Sequence, residues 1–178
     1  MRALIINSLF LFLFCAPAIK EIKTANLFGE IKFSSSDGFF NGKISIITDG
    51  KRMRMDLFSP LGRSEFVYFY SEGSCLFLFV GEKRGVYLKN NCEEIEIDGD
   101  RIKIKELLEL ALNRKESIKD VKVISYRFFE GVRFPSSFEM DRDDWRLKIK
   151  VMDAKFNEEV EKMLTIDIPP DFNIEVRE

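Results

Sequence analysis

Apolar residues in this chain fall mostly in short runs with a period of two, divided by turn residues. That alternation marks strands with one buried face. Segments 27–33, 40–48, 52–58, 64–70, 75–80 and 86–89 read as strands. Between them stand an SSSDG turn, Asp49-Gly50, Ser59-Pro60-Leu61-Gly62, Glu72-Gly73 and a turn at Lys83-Arg84. An Asp-Gly pair between two such runs is a strong hairpin signal, and the series predicts an antiparallel meander. Strand patterning resumes at 121–129, 137–140 and 145–152, where Leu147, Ile149 and Val151 alternate with Arg146, Lys148 and Lys150. A short helical turn at 156–161 precedes the segment 164–168, Pro169-Pro170 and a final strand near 173–176. One helix interrupts the strands at 103–113, where Ile104, Leu107, Leu108, Ala111 and Leu112 recur at helical spacing. The sheet is the only large partner its apolar stripe has.

The middle strands break the alternation. Phe66, Tyr68 and Tyr70 line one face of 64–70 while Val67 and Phe69 line the other, and 75–80 is apolar on both faces. Such strands need cover on both sides. Two arrangements satisfy this: a curled barrel filled by its own side chains, or a curled sheet whose phenylalanine-rich hollow holds a lipid chain. All but Phe10, Phe12 and Phe14 of the 18 phenylalanines lie beyond the N-terminal segment, enough to furnish either. In the 59–62 turn, Pro60 at the second position and Gly62 at the fourth suit a type I turn, leaving Leu61 facing outward. An aliphatic tip makes sense against a membrane or another apolar surface.

Residues 1–18 carry one arginine, Arg2, then an apolar run from 3 to 14 broken only by Asn7 and Ser8. That run is too short to span a bilayer, which takes about 20 residues, and fits the centre of an export signal. Two processing routes remain open. Ala16-Pro17-Ala18 offers ordinary cleavage after Ala18, giving a soluble periplasmic protein. Cys15 offers the lipid-modified cysteine of a bacterial lipoprotein. Residues 19–178 form a single domain, large enough for a core. Cys75 and Cys92 bracket the hairpin centred on Lys83-Arg84, whose pairing would set them nearly opposite, and export makes a cross-strand disulfide plausible, the alternative being two free packed thiols.

A net charge of -2 gives no general attraction to nucleic acid. Histidine is absent, removing the commonest general base and transition-metal ligand. Neither a dinucleotide-binding glycine motif nor a P-loop is found. Asp141, Asp143 and Asp144 do not open an EF-hand, because Arg146 and Met152 stand where glycine and glutamate are required. Glu93, Glu94, Glu96 and Asp98 alternate with Ile95 and Ile97 as the wet side of an edge segment. No catalytic residue, metal site or cofactor is expected, and the chain reads as a non-enzyme.

With these residues in view, RMDLFSPLGRSEF followed by YSEG resembles the corresponding hairpin of the outer-membrane lipoprotein receptor family LolB. FPSSFEMDRDDWRLKIKVMD resembles that family's proline-led strand pair, and IKIKELLELALN sits where such chains have their first lid helix. The C-terminal NEEVEKMLTIDIPPDF is closer to LolA-type carriers. The resemblance implies a mainly β fold, an incomplete, half-open antiparallel β-barrel with a small number of helices as its lid. It implies binding of lipid or lipoprotein acyl chains in a hydrophobic cavity and their delivery to the outer membrane. A LolA-like periplasmic carrier and the outer-membrane surface would be partners of what reads as a monomer. Leu61, carried by Pro60 and Gly62, takes the role of membrane contact. Phe66, Tyr68, Phe77, Phe79, Leu107, Leu108 and Leu112 are the expected cavity or lid residues, and Cys15 is the candidate lipid anchor. The alternative is an envelope scaffold or sensor that uses the same fold for protein contacts without lipid transfer. Here the link between the helix and the 121 strand is short, leaving no room for a second lid helix.

Overall fold

The computed structural model describes residues 21–36, 38–90, 92–97, 100–116 and 118–177. Six strands run first: β1 (Ala25–Ser35), β2 (Gly38–Thr48), β3 (Arg52–Phe58), β4 (Ser64–Ser71), β5 (Ser74–Phe79) and β6 (Arg84–Leu88). A small hairpin of β7 (Glu94–Ile97) and β8 (Asp100–Lys103) leads into α1 (Ile104–Ala111). Then come β9 (Lys122–Phe129), β10 (Val132–Asp141), β11 (Trp145–Phe156), a 3-10 turn (Glu161–Leu164) and β12 (Asn173–Arg177). Ten strands form one sheet in the order β12-β6-β5-β4-β3-β2-β1-β11-β10-β9, while β7 and β8 pair only with each other. Neighbours are antiparallel except β12, which runs parallel to β6. Because β12 and β9 lie at opposite edges, the sheet curls without closing.

Local chemistry sets the hairpins. Between β2 and β3, the Asp49 carboxylate accepts from the N–H groups of Lys51 at 3.0 Å and Arg52 at 2.7 Å. Burial tends to raise its pKa, but those two N–H groups and the Arg52 guanidinium outweigh it and hold Asp49 below the usual carboxylate range. Between β10 and β11, Arg146 pairs with Asp141 at 2.6 Å. The acidic 141–144 loop is therefore answered by a cation from its own strand, in keeping with a solvated turn.

Cover for the middle strands comes from two directions. On the convex face, Val67, Leu76 and Leu78 pack with Ile166, Phe172 and Ile174 of the C-terminal segment. Nearby, Val160 and Leu164 close over Ile47 and Phe69. Gly85 on β6 makes this possible. A Cβ there would run into the Ile174 side chain and lie 2.8 Å from Leu78 Cδ2, so glycine lets β12 settle at this edge without displacing either side chain. On the concave face the cover is α1.

Several expectations shift. The strand expected at 137–140 runs from Val132 to Asp141, and the stretch read as one edge segment forms the β7–β8 hairpin. The helical turn stands at Glu161–Leu164 rather than 156–161, because β11 continues to Phe156, whose ring is buried against Phe134 with centroids 5.4 Å apart. The helix is also shorter than 103–113. Lys103 belongs to β8, and Asn113 adopts a left-handed conformation (φ 55°) just past the C-cap. Asn113 N–H donates to Leu110 O at 3.0 Å and Arg114 N–H to Glu109 O at 2.8 Å. This paired closure ends helices and satisfies their last carbonyls.

Candidate functional site

The register builds the concave face one residue per strand. Leu27 of β1 stands opposite Ile46 of β2, Ile46 opposite Met55 of β3, Met55 opposite Tyr68 of β4, and Tyr68 opposite Phe77 of β5. Side chains directly opposite on one face touch, so this row is a continuous apolar band across the curl. Phe66 and Phe79 continue it toward one end of the sheet. Phe66 lies 6.2 Å from Phe77 and 5.5 Å from Phe79, and Tyr68 lies 5.1 Å from Phe77, ring centre to ring centre. The four aromatic residues expected in the hollow are thus brought together, and the guanidinium of Arg84 caps the Phe79 ring at 4.9 Å.

The lid lies directly on this band. Ile104 and Leu108 are buried with Met53, Tyr68 and Cys75, and Leu107 packs alongside. Leu112 points to the other end of the hollow, where it is buried with Leu27, Phe134 and Phe156. At the N-terminus of α1 no side chain caps the first turn, but Ile104 N–H donates to Glu93 O at 2.9 Å. Further ties are the Lys115–Glu106 pair at 2.6 Å and the bond from Asn113 Nδ2 to Arg133 O at 3.2 Å. A helix of eight residues is not stable alone, so packing on the sheet is what holds it.

Cys75 and Cys92 are joined in a disulfide, with Cα atoms 5.8 Å apart. Contrary to the expectation of a cross-strand bond, it does not join facing positions of the β5–β6 ladder, because Cys75 faces Leu88 there. Cys92 lies beyond the end of β6 and donates its N–H to Gly73 O at 3.0 Å. The link therefore fastens the start of the lid arm to the sheet.

At one end of the sheet sits the 59–62 turn. Gly62 N–H donates to Ser59 O at 2.9 Å, and Ser59 N–H to Arg63 O at 2.8 Å. Gly62 takes φ 82°, which glycine adopts without strain. This is the three-residue hairpin closure of a type I turn followed by a left-handed residue. Leu61 at its tip is 98% exposed. Beside it, β2 runs on past the end of β3, whose pairing stops at Lys43–Phe58. The overhang carries Phe39, which is 68% exposed. Phe39, Phe40, Asn41, Ser59, Pro60 and Glu65 line an open groove of about 650 Å³. A second hollow, of about 300 Å³, is a polar surface dish around Asp141 to Arg146. Neither lies beneath α1, where packed side chains take up the space.

Sequence reasoning did not single out Phe39, Met53, Met55, Ile104 or Phe134 for the site. The methionines and Ile104 carried the usual alternating and helical spacing. Phe39, next to Phe40 at the start of β2, carried no sign that β3 would stop short of it. Residues 1–18, with Cys15, lie outside the described residues. No helix among the described residues is long and apolar enough to cross a membrane.

No known protein family matches the sequence, and no curated protein does. Among solved structures, a LolA superfamily protein from Nitrosomonas europaea superposes with a TM-score of 0.51 at 8% identity, covering 81% of this chain and 90% of that one. A domain named as an outer membrane lipoprotein-sorting protein, from Vibrio parahaemolyticus, aligns at a TM-score of 0.49 and 6% identity, covering 79% and 88%. The open sheet with α1 packed on one face is thus similar in fold to the Nitrosomonas europaea LolA superfamily protein.

Proposed function

We propose that the protein binds acyl chains of lipids or lipoproteins against the concave face and delivers them to an apolar acceptor at the Leu61 end. The observation that carries this reading is the unbroken apolar band of Leu27, Ile46, Met55, Tyr68 and Phe77, covered by a single short helix. Hydrocarbon binding to such a band is non-directional and needs no catalytic group. Binding requires α1 to lift, because its own side chains fill the hollow at rest. The lid arm stays tethered through Cys92 while it does so. Leu61 and Phe39 supply an apolar contact with a membrane beside an open groove. The disulfide and the N-terminal segment support export, with the chain either anchored at Cys15 to the outer membrane and facing the periplasm or freed by cleavage after Ala18. A LolA-like carrier is the natural donor, and no catalytic step is proposed.

A test is native mass spectrometry of protein purified from membranes, before and after delipidation and incubation with lipid extract. Bound species of lipid mass in the first sample and their return in the last are expected. Protein that is empty in both sinks the reading.

A second reading has its own support. The filled hollow suits an envelope scaffold or sensor, and the outer face of edge strand β9 leaves Ile124, Tyr126 and Phe128 exposed. In that case, in-cell crosslinking from position 128 recovers a protein partner and the purified protein carries no lipid.

A further inference from the structure

Tyr68 presents a contradiction that the lid explains. Its ring is a well-packed part of the concave band, only 1% exposed, between Met55 and Phe77 on the neighbouring strands. Yet its hydroxyl is buried without a hydrogen-bond partner, the one such side-chain atom among the described residues. A buried phenol normally finds a partner, and leaving it unpaired destabilises the fold. Phenylalanine would fill the same space without that penalty, and the flanking Phe66 and Phe77 show that the site tolerates it. Met53, Cys75, Ile104 and Leu108 around Tyr68 offer no strong acceptor, and the phenol of Tyr70, in the same cluster, makes no hydrogen bond to it. Burial also pushes its pKa well above that of an ordinary phenol, so it remains a neutral donor across physiological pH.

We propose that the Tyr68 hydroxyl is a selectivity device for the hollow, donating a hydrogen bond to the carbonyl that links an acyl chain to its head group. The proposal rests on the lipid-binding reading and adds the chemistry of the linkage. When Ile104 and Leu108 lift from the band, the donor is uncovered in a row whose other members, Leu27, Ile46, Met55 and Phe77, are all apolar. A hydrocarbon tail lying along Leu27, Ile46 and Met55 satisfies the band, but only a chain ending in an ester or amide carbonyl satisfies Tyr68. The carbonyl would thereby set how deep the chain enters. Pure alkyl chains gain nothing from the hydroxyl.

The test compares wild type with Tyr68→Phe on three probes of equal chain length: a monoacylglycerol, an N-acylated dipeptide and an alkyl-ether glycerol. Dissociation constants come from displacement of a fluorescent lipid. Wild type is expected to prefer the carbonyl probes, and Tyr68→Phe to lose up to about ten-fold for them while holding the ether probe unchanged. Loss confined to the ester points to a glycerolipid, and loss confined to the amide to an acylated polypeptide; either supports the proposal. Equal loss on all three probes, or loss on none, overturns it while leaving lipid binding in place. Wild-type protein that binds none of the three overturns the lipid-binding reading and, with it, the proposal. Thermal unfolding provides a check free of ligand. Tyr68→Phe should melt no lower than wild type, and a melting point lower by several degrees would mean that the hydroxyl is already satisfied inside the free protein, which refutes the idea.

Discussion

Replacing Leu61 by glutamate separates the membrane-contact role from every structural role. Its side chain is 98% exposed and the turn is held by backbone bonds of Ser59, Gly62 and Arg63, so nothing in the fold depends on it. Stability should change by no more than about 0.5 kcal/mol, the range of a neutral surface substitution. Acyl-chain binding at the concave band should not change either. Transfer into a bilayer should. Burying a leucine side chain in hydrocarbon is worth about 1.5–3 kcal/mol, which corresponds to roughly ten- to a hundred-fold in partition between protein-bound and membrane-docked states. Glutamate forfeits that term and adds a desolvation cost. The assay is transfer of a fluorescent acyl probe from loaded protein to vesicles, read by dequenching, beside flotation of unloaded protein. Leu61→Met should retain most of the rate and Leu61→Glu should lose at least about ten-fold. If the glutamate variant transfers as fast as wild type while melting at the same temperature, the tip has no part in delivery.

Two other outcomes test how the scaffold is held. Opening the disulfide by Cys92→Ser frees a loop of 17 residues in sequence separation, which removes about 3 kcal/mol of chain-entropy stabilisation. Thermal unfolding should fall by roughly 6–12 °C for a chain of this size, and a shift under a degree would show that the link constrains nothing. Acid should act through Asp49. Its folded pKa lies below the unfolded value, so its contribution is complete above about pH 4 and is lost as pH falls through the folded pKa. The stability gap between wild type and Asp49→Asn should shrink from neutral pH toward acid in urea titrations. A gap that stays constant to strongly acidic pH contradicts that assignment.

What could be read from the residues followed from how local each signal is. Strands β1 to β6 were legible because each turn announces itself, by Asp49-Gly50, Pro60 to Gly62 or Glu72-Gly73. The demand for cover on both faces of β4 and β5 was legible too, since Val67 and Phe69 oppose Phe66 and Tyr68 along the chain. The identity of the convex cover was not. It arrives from the C-terminal segment through a parallel pairing of β12 with β6, a contact between distant parts of the chain that no local pattern encodes. The β7–β8 hairpin was missed because strands of four residues are too short for alternation to register. The aromatic members of the hollow were legible by type and spacing. The orphaned hydroxyl of Tyr68 was not, because being unpaired depends on every neighbour at once.

A filled hollow and a lipid-binding role are reconciled by comparing what the lid gives up with what a ligand brings. If α1 lifts without re-docking, Ile104, Leu107, Leu108 and Leu112 leave their apolar contacts. At about 1.5–3 kcal/mol for each side chain, the loss is roughly 6–12 kcal/mol. Each methylene of an incoming chain returns about 0.8 kcal/mol. Break-even therefore falls at roughly 8–15 methylenes, and re-docking of the lid on the bound chain moves it lower. Short chains should fail to open the lid and long ones should succeed, with a steep onset between the two. Titration with a series of monoacylglycerols of increasing length, read by displacement of a fluorescent lipid, locates that onset. Leu108→Ala weakens the lid by part of its share and should move the onset to shorter chains. Affinity that climbs smoothly from the shortest chain, with no shift in the variant, would mean that chains bind without displacing α1 and that the concave band is not where they lie.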